Sequence, residues 1–274
     1  MYFDERELKK LYKPSKDSHK GQNGKLTIIG GSKLFHGASL WALKAASRIV
    51  DMVFYSSVPE NNKLTEYLKG NVYDFIAVSR EDVEDYILQS DAILLGPGLP
   101  RETGRHEDEE ATSGLTKRLL KKFPEKKWVI DAGSLTEMDP SWLNELKERA
   151  ILTPHQGEFT KLFNLPATEE NCLKSSAEFN CIILLKGAED VVCDGKQCIK
   201  VKGGNEGMTK GGTGDVLSGL VAALYCKNDP FLSALAGSFI NKKAGDNLYK
   251  KVGSYFNASD LCDEIPKIMA TYVS

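Results

Sequence analysis

The residues best suited to chemistry stand together between Gly203 and Leu224. The stretch reads Gly-Gly-Asn-Glu-Gly-Met-Thr-Lys-Gly-Gly-Thr-Gly-Asp, followed by Val216-Leu217-Ser218-Gly219-Leu220-Val221-Ala222-Ala223-Leu224. Seven glycines occur from Gly203 to Gly219, and apolar residues then recur at 216, 217, 220, 221 and 224. That recurrence is one face of a helix, so a glycine-rich loop feeds a helix start. Such a junction suits an anion: the first turn has unpaired N–H groups, the helix dipole adds positive charge, and glycine lets a phosphate approach the backbone. Asp215 closes the loop. It reads either as a capping carboxylate or as a base. A cap does not need Gly211, Gly212 and Gly214 beside it, whereas a base next to an anion hole does. In the second reading the carboxylate takes a proton from a hydroxyl while the amides of Gly212, Thr213 and Gly214 hold phosphoryl oxygens. The Walker A spacing is absent, because Lys210 precedes the glycines.

Further candidates lie at the ends of short apolar runs. Gly30-Gly31-Ser32 follows Lys25–Ile29, Gly96-Pro97-Gly98-Leu99 follows Ala92–Leu95, Thr153-Pro154-His155 follows Ile151-Leu152, and Lys186-Gly187-Ala188-Glu189-Asp190 follows Cys181–Leu185. Asp131 ends Trp128-Val129-Ile130 and suits either a metal or a helix cap. His36 and His106 read as surface or loop residues.

Those runs are strands, with helical patterns between them: one through Leu40, Leu43, Ala46 and Val50, then 61–68, 81–89, 115–123, 141–149 and 158–164. Further strands are expected at 52–58 and 75–78, and a short charged helix at 4–13. From Asp215 onward the chain reads as mainly helical, broken at Asn228-Asp229-Pro230. Repeated strand-then-helix units predict a doubly wound, mainly parallel sheet in a three-layer α/β/α domain, with ligands beyond the carboxyl ends of the strands. No linker or repeat divides residues 1–274. The polar stretch 101–114, with its acidic run from Glu107 to Glu110, reads as an exposed loop or helix start.

Bulk properties narrow the function classes. Hydrophobic residues make up 41% and charged residues 27%, with a net charge of −2, which gives no pull toward nucleic acid or a membrane surface. No apolar run reaches membrane-spanning length and the N-terminal segment lacks a secretory pattern, so a soluble cytoplasmic protein is expected. None of the six cysteines forms a Cys-x-x-Cys pair, which argues against zinc. Cys193 and Cys198 flank Asp194-Gly195-Lys196-Gln197. If Gly195-Lys196 is a hairpin turn, the two thiols face each other, and a disulfide there fits an unusual cytosol such as a hyperthermophile's.

Gly-Gly-Thr-Gly-Asp before a buried helix resembles the ribokinase-like superfamily. The fuller wording Asn205-x-Gly207-Met208-x-x-Gly211-Gly212-Thr213-Gly214-Asp215 resembles the NAD(P)H-hydrate dehydratases, as do Gly30-Gly31-Ser32 through Gly37-Ala38 and Thr153-Pro154-His155-x-Gly157-Glu158-Phe159. The chain departs from that pattern at Ile49-Val50-Asp51 and at Pro100. The resemblance implies a ribokinase-like fold and nucleotide-dependent dehydration of the S-epimer of hydrated NADH and NADPH, with Mg²⁺ and with ADP or ATP as phosphoryl donor. It implies substrate contacts at Ala38, Gly98, His155 and Asp215, and nucleotide contacts at Lys186, Gly187, Ala188, Glu189, Asp190 and Gly214. It also implies a homo-oligomer, with a tetramer as the family habit. Two competitors remain at this point: a kinase of the same fold, such as one acting on hydroxyethylthiazole, and a nucleotide-binding sensor without turnover.

Overall fold

The computed structural model describes residues 1–68, 74–101 and 110–273. His106 and most of the acidic 101–114 stretch lie outside them. Among the described residues nine strands form one sheet: β1 (Lys25–Ile29), β2 (Met52–Ser56), β3 (Ile76–Val78), β4 (Ala92–Leu95), β5 (Lys127–Ile130), β6 (Ala150–Leu152), β7 (Ile182–Leu185), β8 (Asp190–Cys193) and β9 (Cys198–Val201). Their spatial order is β3-β2-β1-β4-β5-β6-β7-β8-β9. Pairing is parallel through β7, and β8 and β9 add an antiparallel hairpin.

Alternation along the strands builds two cores, because successive side chains point to opposite faces. Leu26, Ile28, Leu94, Val129, Ile151 and Leu184 face one core, and Ile29, Ile93, Leu95, Ile130, Leu152 and Ile183 face the other. Residues of α1 (Gly37–Ala46), α8 (Thr213–Tyr225), α9 (Pro230–Val252) and α10 (Ala258–Tyr272) complete the first core. The second is completed from α3 (Val83–Gln89), α4 (Thr112–Lys122), α5 (Ala132–Glu137), α6 (Gln156–Phe163) and α7 (Glu169–Glu178). The remaining helix, α2 (Pro59–Leu68), follows β2. This is the expected three-layer, mainly parallel α/β/α arrangement.

Helix α8 is apolar on nearly every side, since Val216 through Tyr225 are all buried. It packs against α1 so closely that a Cβ on Gly219 would collide with the Ala42 carbonyl. Helix α9 starts at the expected break, where Asp229 caps and Pro230 occupies the first turn.

Local expectations shift in three places. The segments read as helices at 4–13 and 141–149 are 3₁₀ turns, Glu5–Lys10 and Pro140–Leu146, the second ended by left-handed Lys147 and Glu148. Helix α1 stops at Ala46, short of Val50. Asp51, within the segment that departs from the family wording, accepts hydrogen bonds from the amides of Gly21 and Asn23 at 2.8 and 3.0 Å. It thereby fixes the lead-in to β1. Cys193 and Cys198 lie directly opposite in the hairpin register and are joined by a disulfide.

Strand order places the candidate residues. The chain runs β1, β2, β3 outward and then returns to β4 on the other side of β1. The crevice beyond the β1 and β4 carboxyl ends is therefore a topological switch point. Gly30-Gly31 and Gly96-Pro97-Gly98 meet there, with the Gly31 amide donating to the Pro97 carbonyl at 2.7 Å.

Candidate active site

At the switch point the backbones approach one another with no room for side chains. Gly98 has φ +73°, and a Cβ there would lie 2.9 Å from the Phe35 carbonyl oxygen and 3.2 Å from Ala38 Cβ. The structure thus brings Ala38 and Gly98 together. His36 lies in the loop just before α1, half-buried, and hydrogen-bonds Asn61. Ser39 and Tyr55 bond at 2.8 Å behind it.

Along the same sheet edge lies a second cleft of about 680 Å³, bordered by His155, Lys186–Ala188, Asp190, Gly203–Glu206, Gly214, Asn241 and Lys242 among others. The α8 helix begins at its edge. Gly212 precedes it with φ +94°, and a Cβ there would collide with the Trp41 ring. Trp41 is one helical turn beyond Ala38, so the glycine loop sits between the two clefts. Thr213 anchors the turn, since its Oγ1 donates to the Met208 and Lys210 carbonyls at 2.7 and 3.0 Å. Its amide points to the Lys210 carbonyl at 3.4 Å. Gly214 and Asp215 follow as the second and third residues of the helix. Asp215 is therefore inside the first turn and is not the N-cap, a position Gly212 holds.

Charge concentrates at this point. Lys186 Nζ lies 3.0 Å from Asp131 Oδ1 and 3.8 Å from Glu158 Oε2. A Cβ on Gly214 would stand 3.4 Å from the same Nζ. Asp131 and Glu158 are almost fully buried. Asp131 caps nothing with its side chain, and its carboxylate goes to Lys186 instead. Burial pushes the Asp215 carboxyl up to about 7, helped by Asp131 and Glu158 and opposed by Lys186. Burial likewise raises Glu158, although Lys186 opposes it. Burial works to lower Lys186, but Asp131 and Glu158 outweigh it and hold the ammonium charged.

His155 forms a capping box with Glu158. Its Nδ1 accepts from the Gly157 and Glu158 amides at 3.0 and 3.3 Å, while Glu158 Oε2 accepts from the His155 amide at 2.8 Å. The cap uses Nδ1, and Nε2 lies 3.4 Å from Glu158 Oε1. Asp190 borders the cleft, but its carboxylate is already engaged by the Gly187 amide, Ser238 and Lys242. Lys242 also donates to the Gly187 and Ala188 carbonyls at 3.1 Å each, so the pair shapes the loop. Glu189 is exposed, bonded to Tyr2, and does not border the cleft. Sequence reasoning missed Glu158 as a partner of Lys186, and Lys242 and Asn241 altogether. Glu158 was visible as a capping residue, while nothing in the spacing of the other two marks them.

The arrangement offers a base that titrates near neutral pH, a fixed cation and an open helix start within one edge of the sheet, which is what phosphoryl transfer to a hydroxyl requires. The family model of the NAD(P)H-hydrate dehydratases matches residues 26–267. The chain belongs to this family. A bifunctional NAD(P)H-hydrate repair enzyme of Methanocaldococcus jannaschii is 37% identical over 97% of this chain and 52% of its own length. An ADP-dependent (S)-NAD(P)H-hydrate dehydratase of Nitrosopumilus maritimus is 33% identical over 97% of this chain and 96% of its own. The chain thus spans about half of the bifunctional relatives and nearly all of the single-function one. Among solved structures, a ribokinase-like superfamily protein of Enterococcus faecalis superposes with a TM-score of 0.86 at 25% identity, over 99% of this chain and 96% of that one. The ADP/ATP-dependent NAD(P)H-hydrate dehydratase of Bacillus subtilis, crystallised with ATP and Mg²⁺, reaches 0.80 at 23% identity, over 99% and 98%. Both share the ribokinase-like fold. Among the described residues no helix is long and apolar enough to cross a membrane.

Proposed function

We propose that this dehydratase-family chain converts the S-epimer of hydrated NADH and NADPH back to the intact cofactor, consuming ADP or ATP. The observation that carries the reading is Asp215: a carboxyl raised to about 7, in the first turn of α8, beside Lys186. The hydrate lies over Ala38 and Gly98, and the nucleotide fills the cleft bordered by Lys186–Ala188 and Gly214. Asp215 takes the proton from the ring hydroxyl as its oxygen attacks the terminal phosphoryl group. The bond from that phosphorus to the nucleotide bridging oxygen breaks, and the Gly214 amide and Lys186 stabilise the charge that develops. Loss of the phosphate ester as orthophosphate, with departure of the neighbouring ring proton, restores the double bond. The products are the reduced cofactor, orthophosphate and a nucleotide shortened by one phosphoryl group.

Two buried carboxylates, Asp131 and Glu158, stand beside Lys186 and would suit Mg²⁺. Among those described, no group of three or more His, Cys, Asp or Glu is set for a metal, and Mg²⁺ bound with phosphates usually takes only one or two carboxylates. Asp131 and Glu158 would be those carboxylates, and the ion would neutralise phosphate charge when bound. A cytoplasmic homotetramer completes the proposal.

The test is incubation with NADH hydrate, Mg²⁺ and either ADP or ATP, following reduced-nicotinamide absorbance and orthophosphate together. Recovery of both supports the reading. A stable phosphate ester without orthophosphate would show a kinase, and no nucleotide turnover with any hydrate would show a sensor.

A further inference from the structure

One wall of the nucleotide cleft holds a polar group that the chemistry above does not use. Asn241, on α9, borders the cleft, is 4% exposed, and its Oδ1 has no hydrogen-bond partner among the described residues. A buried amide oxygen without a partner costs free energy that a folded chain ordinarily avoids. Oδ1 itself is closed to solvent, so a group arriving in the cleft would supply that partner through a turn of the side chain toward it.

The surroundings say what kind of group. Leu217, on α8 one turn beyond Gly214, borders the cleft, as do Met208 and Ala188. Lys242, the next residue after Asn241, is spent on Asp190 and on the Gly187 and Ala188 carbonyls. Lys186 and the Gly214 amide bring charge and donors to the cleft wall, and Ala188, Met208 and Leu217 bring apolar surface. Of its two neutral amides, Asn205 is already bonded to Gly207 and Asp246, which leaves Asn241. A nucleoside diphosphate needs the same three things: a partner for its phosphates, apolar surface for a flat ring, and a polar group for the ring's hydrogen-bonding edge. The cleft's 680 Å³ is within the range of small-ligand sites.

We propose that Asn241 reads the base of the phosphoryl donor, its side-chain amide pairing with the 6-amino group and N7 of adenine. An asparagine amide offers one acceptor and one donor side by side. Adenine presents the complementary pair, an amino N–H next to the N7 acceptor. Hypoxanthine and guanine place a carbonyl next to N7, two adjacent acceptors that one amide cannot satisfy in either orientation. Asn241 is thus a specificity-determining residue for the donor, an assignment that rests on the reading of this cleft as the nucleotide site.

Calorimetric titration of the full chain with ADP, IDP and 7-deaza-ADP tests it, alongside Asn241→Leu, which keeps the side-chain size. The wild type should bind ADP roughly 5- to 150-fold more tightly than IDP, with 7-deaza-ADP between them. In Asn241→Leu the ADP-to-IDP ratio should fall close to one, mainly through loss of ADP affinity. A purely structural role would weaken both nucleotides alike, so an unchanged ratio in the variant overturns the assignment. Should the variant fail to fold, the wild type decides alone: equal affinity for the three nucleotides overturns it. Binding of none of them overturns both the assignment and the nucleotide reading of the cleft.

Discussion

The two clefts on the carboxyl edge of this sheet are built from opposite materials. At the β1–β4 switch point the walls are largely backbone: glycines at 30, 31, 96 and 98 let loops touch, Ser39 bonds Tyr55, Asn61 bonds Ser57 and His36, and Arg80 donates to the Gly30 carbonyl. At the β5–β7 end the walls are charge: Asp131, Glu158 and Asp215 around Lys186, braced by the Asp190–Lys242 pair. A crevice shaped by glycines suits a large substrate that must be oriented. Buried charge around a carboxyl raised to about 7 suits the step in which a proton and a phosphoryl group move. The division predicts that lesions at one end change recognition of the hydrate and lesions at the other change turnover.

Asp215→Asn should have the largest effect. Loss of a general base typically removes ~10²–10⁴-fold in rate, so kcat should fall by that much with little change in either KM. Wild-type activity should rise with pH through about 7, where Asp215 becomes a carboxylate. Stability should run the other way. The folded carboxyl holds its proton above the ordinary value of 3.8, so the folded chain binds more protons than the unfolded one between that value and about 7, and Asp215 costs stability as pH rises through this window. The variant should therefore melt higher than wild type at pH 8, by ~1–3 kcal/mol in stability, and the gap should close at pH 4. Equal melting differences at both pH values would break the contrast between the two ends.

Lys186→Met comes next. It leaves Asp131 and Glu158 buried without their cation, which should cost about 3–5 kcal/mol, read by urea unfolding at pH 8. Lys186 also holds Asp215 down, so the midpoint of any residual pH–rate profile should move upward. A midpoint that stays put would mean the lysine belongs to the nucleotide and not to the proton.

The glycine end was far more legible in the sequence than the charged end. Gly30-Gly31, Gly96-Pro97-Gly98 and Gly211–Asp215 announce themselves because the turn and its neighbours are contiguous. The Asp131–Lys186 pair spans 55 positions, and no local spacing reveals it. Glu158, on α6, could be seen as a cap but not as a partner of a lysine just past the end of β7. Helix periodicity failed where helices are poor in large apolar residues. α7 buries only Cys172, Ser175 and Ser176, and the six residues of α5 are mostly small. The Thr168 cap followed by Glu169 and Glu170 was the available signal for α7. The 3₁₀ turn at Pro140–Leu146 was read too long because left-handed Lys147 and Glu148, set by the fold, stop it.

Gly98→Ala probes the other end. At φ +73° an alanine is strained, and its methyl would press on the Phe35 carbonyl and Ala38. The crevice should open unevenly and raise KM for the hydrate roughly tenfold, a loss of about 1.4 kcal/mol, while ADP affinity measured by calorimetry stays within twofold of wild type. A matching loss of ADP affinity would merge the two clefts into one site.

The smallest effect on turnover should come from Cys198→Ser. The disulfide closes only a short loop across β8 and β9, so its contribution to stability by chain entropy is about 2 kcal/mol. Asp190, at the start of β8, braces the 187–190 loop through its own bonds to Gly187, Ser238 and Lys242. Those bonds do not pass through the sulfurs, so reduction or the serine variant should lower the melting temperature by several degrees and leave kcat and both KM values within twofold. If nucleotide KM rose severalfold instead, the hairpin would be part of the charged end and the cleft's rigidity would depend on the redox state of its outermost strands.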